Sequence, residues 1–214
     1  MPAERMAATP RGEARVVARR AKRPIATLVL THGAGGGIGA PDLVRLARTL
    51  PQQDISVTLV EMPWRVAGKK LAPAPAVIDE CFTAVLDTMR MRSPLVVGGR
   101  SAGARSACRI ARSAGARGVL ALSFPLHPPG KPEKSRLPEL LGAGVPTLVV
   151  QGERDPFGTP EELPSGIDLA VVPWADHSMR VPKSAPLSQH EALAVVLEAT
   201  LEWVVREIAG NRSG

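Results

Sequence analysis

The chain has 214 residues, yet it contains no tyrosine, and aromatic residues make up only 3% of it. Proteins that bind nucleic acids usually group basic residues on a folded face and often stack bases on aromatic rings. Because aromatic residues are scarce here and the basic residues are concentrated at one end of the chain, we expect no nucleic-acid partner. The net charge of +7 then concerns solubility and a weak attraction of anions.

Long apolar runs and clustered cysteines are also missing. No stretch approaches the roughly 20 apolar residues of a membrane-spanning helix, so we expect no membrane insertion. The two cysteines, Cys81 and Cys108, lie in stretches with helical periodicity, and the N-terminus lacks the apolar centre of a secretory signal. We therefore expect free, buried thiols in a cytoplasmic protein. No cysteines and histidines have metal-ligand spacing, so we predict neither a metal nor a cofactor.

The first 24 residues carry most of the charge, because seven Lys and Arg face two Glu and supply +5 of the net +7. We predict that residues 1–24 form a basic, mobile segment and that residues 25–210 form a single domain. The high Arg content also leaves a transit-peptide-like role open. Within this segment, residues 13–18 are a candidate antiparallel edge strand.

Further along, apolar β-branched runs alternate with segments of helical period, which is typical of a parallel sheet covered on both faces. We predict a doubly wound α/β fold of six or seven strands. The predicted strands are 25–31, 55–60, 95–98, 118–122, 146–151 and 169–172, and the predicted helices are 40–50, 76–91, 102–113, 137–141 and 187–209. Four prolines make residues 123–136 irregular and leave little room for a lid.

Residues 99–103, Gly-Arg-Ser-Ala-Gly, have the G-x-S-x-G pattern of a nucleophile elbow. They lie between a predicted strand and a predicted helix, where an elbow turns the chain sharply and exposes a serine. The glycines on either side leave room for that turn. Ser101 is therefore the candidate nucleophile, and the N–H of Ala102 is a candidate oxyanion donor. The alternative is a Gly/Ser turn that only allows close packing of a helix on a strand.

Residues 31–39, Thr-His-Gly-Ala-Gly-Gly-Gly-Ile-Gly, follow the first predicted buried strand. In a hydrolase this loop supplies the second oxyanion N–H, for which Ala34 is the candidate. The same glycines satisfy the dinucleotide pattern G-x-G-x-x-G/A, and Glu61 ends the next strand, where a ribose ligand would lie. A dinucleotide oxidoreductase is thus an alternative. It leaves Ser101 unexplained, and short-chain dehydrogenases rely on a tyrosine that this chain lacks.

Two more chemistry-bearing residues follow predicted strands. Asp155 comes just after the strand at 146–151, and His177 just after the strand at 169–172. Because parallel strands end at one edge of a sheet, Asp155 and His177 are expected beside Ser101. A serine hydroxyl needs a base to remove its proton, and a carboxylate fixes the tautomer of the histidine. The order Ser–Asp–His is the one expected for α/β-hydrolases.

From about residue 25 to residue 209, the chain resembles the α/β-hydrolase superfamily. Four stretches are similar to one subgroup of this superfamily, namely residues 31–36, 98–105, 124–132 and 151–158. The subgroup contains bacterial proteins related to dienelactone hydrolase, and the hydrolase-like domains of an NSL chromatin-complex subunit and of a testis-expressed protein. The resemblance implies Ser101, Asp155 and His177 as a catalytic triad. Ala104 departs from the second glycine of many relatives, which should alter packing and not chemistry.

These observations favour a serine hydrolase that cleaves a small carboxylic ester or related acyl substrate at an open, shallow site. The main alternative is an interaction or scaffold protein that keeps the fold with little catalysis. Arg100 is a candidate for attracting a substrate carboxylate, or else it pairs with a structural acid. The remaining candidates for the pocket lining are His32, Gly33, Trp64, Arg65, Phe124 and His127. Nothing in the sequence indicates an oligomeric state.

Overall fold

One eight-stranded sheet runs through the computed structural model, which describes residues 2–210. Its strands lie in the order β1-β2-β4-β3-β5-β6-β7-β8. The strands are β1 (Ala3–Thr9), β2 (Gly12–Arg19), β3 (Ala26–Thr31), β4 (Ile55–Glu61), β5 (Leu95–Arg100), β6 (Gly118–Leu122), β7 (Thr147–Gly152) and β8 (Asp168–Val172). The last six are mutually parallel and correspond to the six predicted strands. A doubly wound, mostly parallel sheet was the prediction, and it is confirmed.

The N-terminal segment differs from its prediction. In place of a mobile lead-in, β1 and β2 form an antiparallel hairpin, and β2 pairs antiparallel with β4. The antiparallel strand predicted at residues 13–18 is therefore present, but β1 covers its outer side, and the sheet has eight strands instead of six or seven. The charged residues of the two strands led to the wrong prediction. In β2, Glu13 and Arg15 alternate with Ala14 and Val16, whose side chains are buried.

Helices cover both faces, as the alternation of patterns predicts. They are α1 (Pro41–Thr49), α2 (Pro63–Val66), α3 (Pro75–Asp87), α4 (Ala102–Ile110), α5 (Leu137–Leu141) and α6 (Gln189–Trp203). A proline in the first turn begins each of α1, α2, α3 and α5, because its missing N–H would be unpaired there anyway. Ser188 caps α6 by accepting the Glu191 N–H, and a π-helical turn, Val204–Ala209, extends it.

Alternate residues of each parallel strand face two separate cores. In β3, Val29 packs with Phe82 of α3, whereas Leu28 and Leu30 pack with Leu46 of α1. Burying each such side chain contributes about 1.5–3 kcal/mol, which fixes the register of the strands. Cys81 and Cys108 are free and buried, as predicted. Within residues 2–210, no helix is long and apolar enough to cross a membrane.

Parallel strands bring distant parts of the chain to one edge of the sheet. The glycine loop follows β3, Ser101 follows β5, Asp155 follows β7 and His177 follows β8. Residues 123–136 after β6 carry no helix or strand, as the prolines indicate, and they form only a short segment between β6 and α5. The carboxyl edge of the sheet therefore holds every candidate for chemistry.

Candidate active site

Ser101 sits on a sharp turn between β5 and α4. Its φ of 53° and ψ of −112° are unusual for a residue with a side chain, and its N–H donates to the Leu122 carbonyl at the end of β6. Its own carbonyl accepts the Arg105 N–H, which begins the helix immediately. The strand, the strained serine and the helix are the features that an elbow requires. Ala102, the first residue of α4, has an N–H that finds no acceptor within the helix.

Three glycines let the glycine loop approach this turn. A Cβ on Gly99 would lie 2.5 Å from the Thr31 carbonyl oxygen, and one on Gly103 would lie 2.8 Å from the His32 carbonyl oxygen. A Cβ on Gly33 would lie 3.3 Å from the Cβ of Ser101. The glycines at the two ends of the elbow motif are therefore needed sterically, and the loop after β3 packs directly against the serine.

The His177 imidazole connects the other two candidate residues. Its Nε2 lies 2.9 Å from the Oγ of Ser101, and its Nδ1 lies 2.8 Å from Oδ2 and 3.0 Å from Oδ1 of Asp155. Asp155 has no exposed surface, whereas Ser101 and His177 are partly exposed. A carboxylate at Nδ1 holds the proton there, which leaves Nε2 to accept the serine proton. The structure thus brings together the three residues that the sequence singled out.

Asp155 receives support that the sequence analysis missed. Its Oδ1 accepts the N–H of Phe157 at 2.8 Å, and its Oδ2 accepts the side-chain amide of Gln151 at 3.0 Å. The same amide also contacts the Gly158 carbonyl, which confirms that the nitrogen faces this side. A signal for Gln151 was present, because it is the polar residue at the end of an otherwise apolar strand. These donors compensate the buried carboxylate for the loss of water.

Three nearby residues hold the loop that carries His177 in place. Asp176, the residue next to His177, accepts the N–H groups of Ser178 and Arg180, so it shapes the turn and does not contact the imidazole in the way that Asp155 does. The ring of Phe157 lies over the imidazole with centroids 4.1 Å apart. A Cβ on Gly152 would lie 2.6 Å from the Ala175 carbonyl oxygen, so this glycine allows the loop to pack on β7.

Arg100 joins the elbow to the histidine loop. Its guanidinium donates to the His177 carbonyl oxygen, and its Nε lies 3.3 Å from Oδ2 of Asp42, a fully buried carboxyl group in the first turn of α1. The 3.3 Å contact is an ion pair without good hydrogen-bond geometry. Burial raises the pKa of Asp42, and the Arg100 charge opposes that rise. The alternative of a structural acid partner is therefore confirmed, and Arg100 is engaged by the protein itself.

His32 is a buried, neutral member of the glycine loop. Its Nε2 accepts the Met62 N–H at 3.0 Å, so its Nδ1 carries the proton and donates to the Gly33 carbonyl at 2.8 Å. Burial lowers the pKa of the ring, in agreement with this neutral form. The N–H of a trans peptide points away from its carbonyl, so His32 fixes the direction of the Ala34 N–H. His32, a candidate for the pocket lining, thus has a structural role in the glycine loop.

The other candidates for the pocket lining have mixed outcomes. Trp64 and Arg65 lie on α2, where Trp64 is buried edge-on against His32 and Arg65 bonds to the Lys69 carbonyl. Phe124 has no exposed surface, so its prediction as a lining residue is wrong; it packs within the core instead. His127 bonds to Glu162 and to the backbone of its own segment, which occupies both ring nitrogens.

A profile of the α/β-hydrolase domain family matches residues 24–205 of this chain. The chain belongs to this α/β-hydrolase domain family. Its fold is the compact α/β-hydrolase fold, without a large lid. The dinucleotide alternative loses its basis here, since Glu61, its proposed ribose ligand, forms an ion pair with Arg15 at 2.8 Å.

Solved structures with the same fold have low sequence identity to the chain. A serine hydrolase homologue from Coxiella burnetii has a TM-score of 0.73 at 16% identity, covering 94% of this chain and 96% of the other. A lidless serine hydrolase from Xanthomonas campestris has a TM-score of 0.70 at 18% identity, covering 94% of both. Dienelactone hydrolase from Anabaena variabilis has a TM-score of 0.70 at 17% identity, covering 97% and 99%.

Proposed function

We propose that this α/β-hydrolase is a serine esterase that cleaves a small carboxylic ester or related acyl substrate. The observation that carries the proposal is the imidazole of His177, which lies within hydrogen-bond distance of both the Ser101 hydroxyl and the Asp155 carboxylate. A hydrolase fold needs no such chain of contacts for its stability. The arrangement supplies what acyl transfer needs, namely a nucleophile, a base and a group that orients the base.

In the first half of the proposed reaction, Ser101 attacks the carbonyl carbon of the ester while His177 takes the hydroxyl proton. The N–H groups of Ala34 and Ala102 stabilise the negative oxygen of the tetrahedral intermediate. His177 then gives its proton to the departing alcohol. In the second half, water attacks the acyl-serine with help from His177, which releases the carboxylic acid and restores the serine. Asp155 stabilises the imidazolium in both halves.

The surroundings of the serine favour a small or flexible substrate. Residues 123–136, where larger relatives of this class insert a lid, form a short segment held by contacts such as the Arg136 N–H to the Leu126 carbonyl. Arg100 is held by Asp42 and by the backbone of the histidine loop, so charge recognition by this residue is not part of the proposal. We also retain as proposals the cytoplasmic location and the subgroup related to dienelactone hydrolase.

The proposal is tested with a fluorophosphonate probe, which modifies an activated serine covalently. The wild-type protein should be labelled, Ser101→Ala should not, and His177→Ala should be labelled far more slowly. Ser113→Ala is the matched control. Ser113 lies just after the end of α4, where its hydroxyl donates to the carbonyl of Ile110. It should be labelled at the wild-type rate.

Hydrolysis of p-nitrophenyl esters of increasing chain length then identifies the preferred acyl group. Short chains should be turned over fastest, because an open site offers a long chain little surface. A folded wild-type protein that resists the probe and hydrolyses none of the esters would contradict the proposal. That outcome would favour the alternative of an interaction protein that uses the fold without catalysis.

A further inference from the structure

A cleft of about 480 Å³ opens at the edge of the sheet opposite Ser101. Thr27, near the start of β3, and Ser93, just before β5, line this cleft, whereas Ser101 follows the end of β5. A strand of six residues separates the two edges by about 20 Å. Residues 88–93 after α3 form one wall of the cleft, and residues 16–24 of the N-terminal segment form another. The cleft is therefore distinct from the proposed active site.

Positive charge dominates the lining. Five basic side chains line the cleft and no Asp or Glu does; they are Arg5, Arg20, Lys22, Arg90 and Arg92. Among residues 2–210, none of these five forms an ion pair with a carboxylate. Arg11 and Arg15 of the same hairpin are different, since they pair with Glu80 and Glu61 and lie outside this cleft. Five charges that have no carboxylate partner in the described part of the chain are thus gathered in one concave place.

Hydroxyl groups and apolar side chains complete the lining. The hydroxyls of Thr27 and Ser93 lie 2.8 Å apart at the floor, and the Thr88 hydroxyl accepts a hydrogen bond from Arg5 at 2.6 Å. Met89 and Val16 contribute apolar surface beside them. A site with several cations, hydroxyl donors and some apolar area suits a ligand with both anionic and organic parts.

From this lining, we propose that the cleft binds a phosphorylated small molecule with at least two anionic groups. Five like charges in one concavity repel one another, and a single carboxylate would neutralise only one of them. Phosphate groups carry more charge and several acceptor oxygens, which match the forked donors of Arg and the point charge of Lys. The basic N-terminal segment, which the proposed hydrolysis does not use, supplies three of the five cations.

The test is calorimetric titration with inorganic tripolyphosphate and with ATP at physiological ionic strength. Arg20→Gln/Lys22→Gln removes two exposed charges from the cleft, and Arg48→Gln/Lys183→Gln removes two exposed charges elsewhere. Because each lost charge-assisted contact weakens phosphate binding several-fold, the first variant should bind at least about tenfold more weakly, and the second should change by less than about twofold. Tighter binding of ATP than of tripolyphosphate would show that the apolar surface contacts the organic part of the ligand. Equal binding of the two probes would show that an inorganic phosphate chain is sufficient.

Three results would overturn the proposal. The first is the absence of saturable binding of both probes to the wild-type protein. The second is an equal loss of affinity in the two double variants, which would mean unspecific attraction to a basic protein. The third is a loss of affinity after Ser101 has been labelled with the fluorophosphonate, which would place the anion at the serine; otherwise labelling should leave the affinity unchanged. If the first result is obtained, binding of a single-stranded oligonucleotide would assign the charges to a nucleic acid instead.

Discussion

Gly103→Ala tests whether the close approach of the glycine loop to α4 is needed for both folding and catalysis. Gly103 lies in a helix and has no positive φ, so an alanine suits its backbone. In an open environment this change would stabilise the helix by about 0.5–1 kcal/mol. The structure is not open there. The new Cβ would lie 2.8 Å from the His32 carbonyl oxygen and 2.9 Å from that of Thr31.

The sign of the change in unfolding free energy therefore shows whether close packing or helix propensity dominates at this position. Both oxygens belong to the backbone, so relief requires movement of the loop after β3 by several tenths of an ångström. Overpacking of this kind costs about 1–3 kcal/mol. Two backbone oxygens below 3.0 Å favour the upper half of that range, which exceeds the helical gain and leaves a net loss of about 1–2 kcal/mol. For a chain of this size, the melting temperature should fall by about 2–8 °C. Urea unfolding at equilibrium measures the same loss of free energy.

Gly103→Ala should also slow catalysis in the fraction of the protein that remains folded. The displaced loop carries the Ala34 N–H. A misplacement of about 1 Å at a reacting group lowers the rate by about 100-fold, so a shift of several tenths of an ångström should lower it by a smaller but measurable factor. We expect slower fluorophosphonate labelling of Ser101 in protein that is still folded at the assay temperature.

Gly36→Ala is the matched control, because a Cβ there meets nothing within 4 Å and its φ is not positive. The control should keep its labelling rate and lose no stability. A Gly103→Ala protein as stable as the wild type and labelled at the same rate would refute the reasoning.

Three more predictions concern charges and thiols. Arg100→Gln should cost about 3 kcal/mol of unfolding free energy in urea, because it leaves the buried Asp42 unpaired, and Asp42→Asn in the same chain should restore part of it. A hydrogen bond to the next backbone carbonyl and the contact with Glu162 raise the pKa of His127. The stability lost in His127→Gln should therefore be largest below pH about 6.5 and should shrink as the pH rises through the higher folded-state value. Burial raises the pKa of the Cys108 thiol to about 12, so iodoacetamide at neutral pH should modify it only after denaturation, as mass spectrometry will show.

Local patterns in the sequence sufficed for most of the parallel sheet. Six apolar runs became six parallel strands, because strands buried on both faces need near-continuous apolar sequence. The elbow motif lies between β5 and α4, where its glycines allow the sharp turn. The hairpin of β1 and β2 was harder to foresee. Its strands are rich in charge, and only pairing with β4 gives their small apolar residues a core to pack in.

The same division holds for the site. Ser101, Asp155 and His177 were found from their positions after strands, since parallel strands end together. Their supporting groups were not found. Gln151 stands out as a polar residue at the end of a mainly apolar strand, but no sequence pattern shows that its side chain reaches Asp155. Phe124, predicted to line the pocket, is buried in the core.

The sequence by itself determined which residues could perform acyl transfer, because the chemistry depends on residue type and the order along the chain follows from the strands. Only the tertiary structure decided how those residues are held. It brought Asp42 of α1 under Arg100, turned the Arg100 guanidinium to the histidine loop, and gathered the N-terminal cations around a cleft at the other edge. Such contacts join segments far apart in the chain, so their geometry exists only once the sheet has assembled.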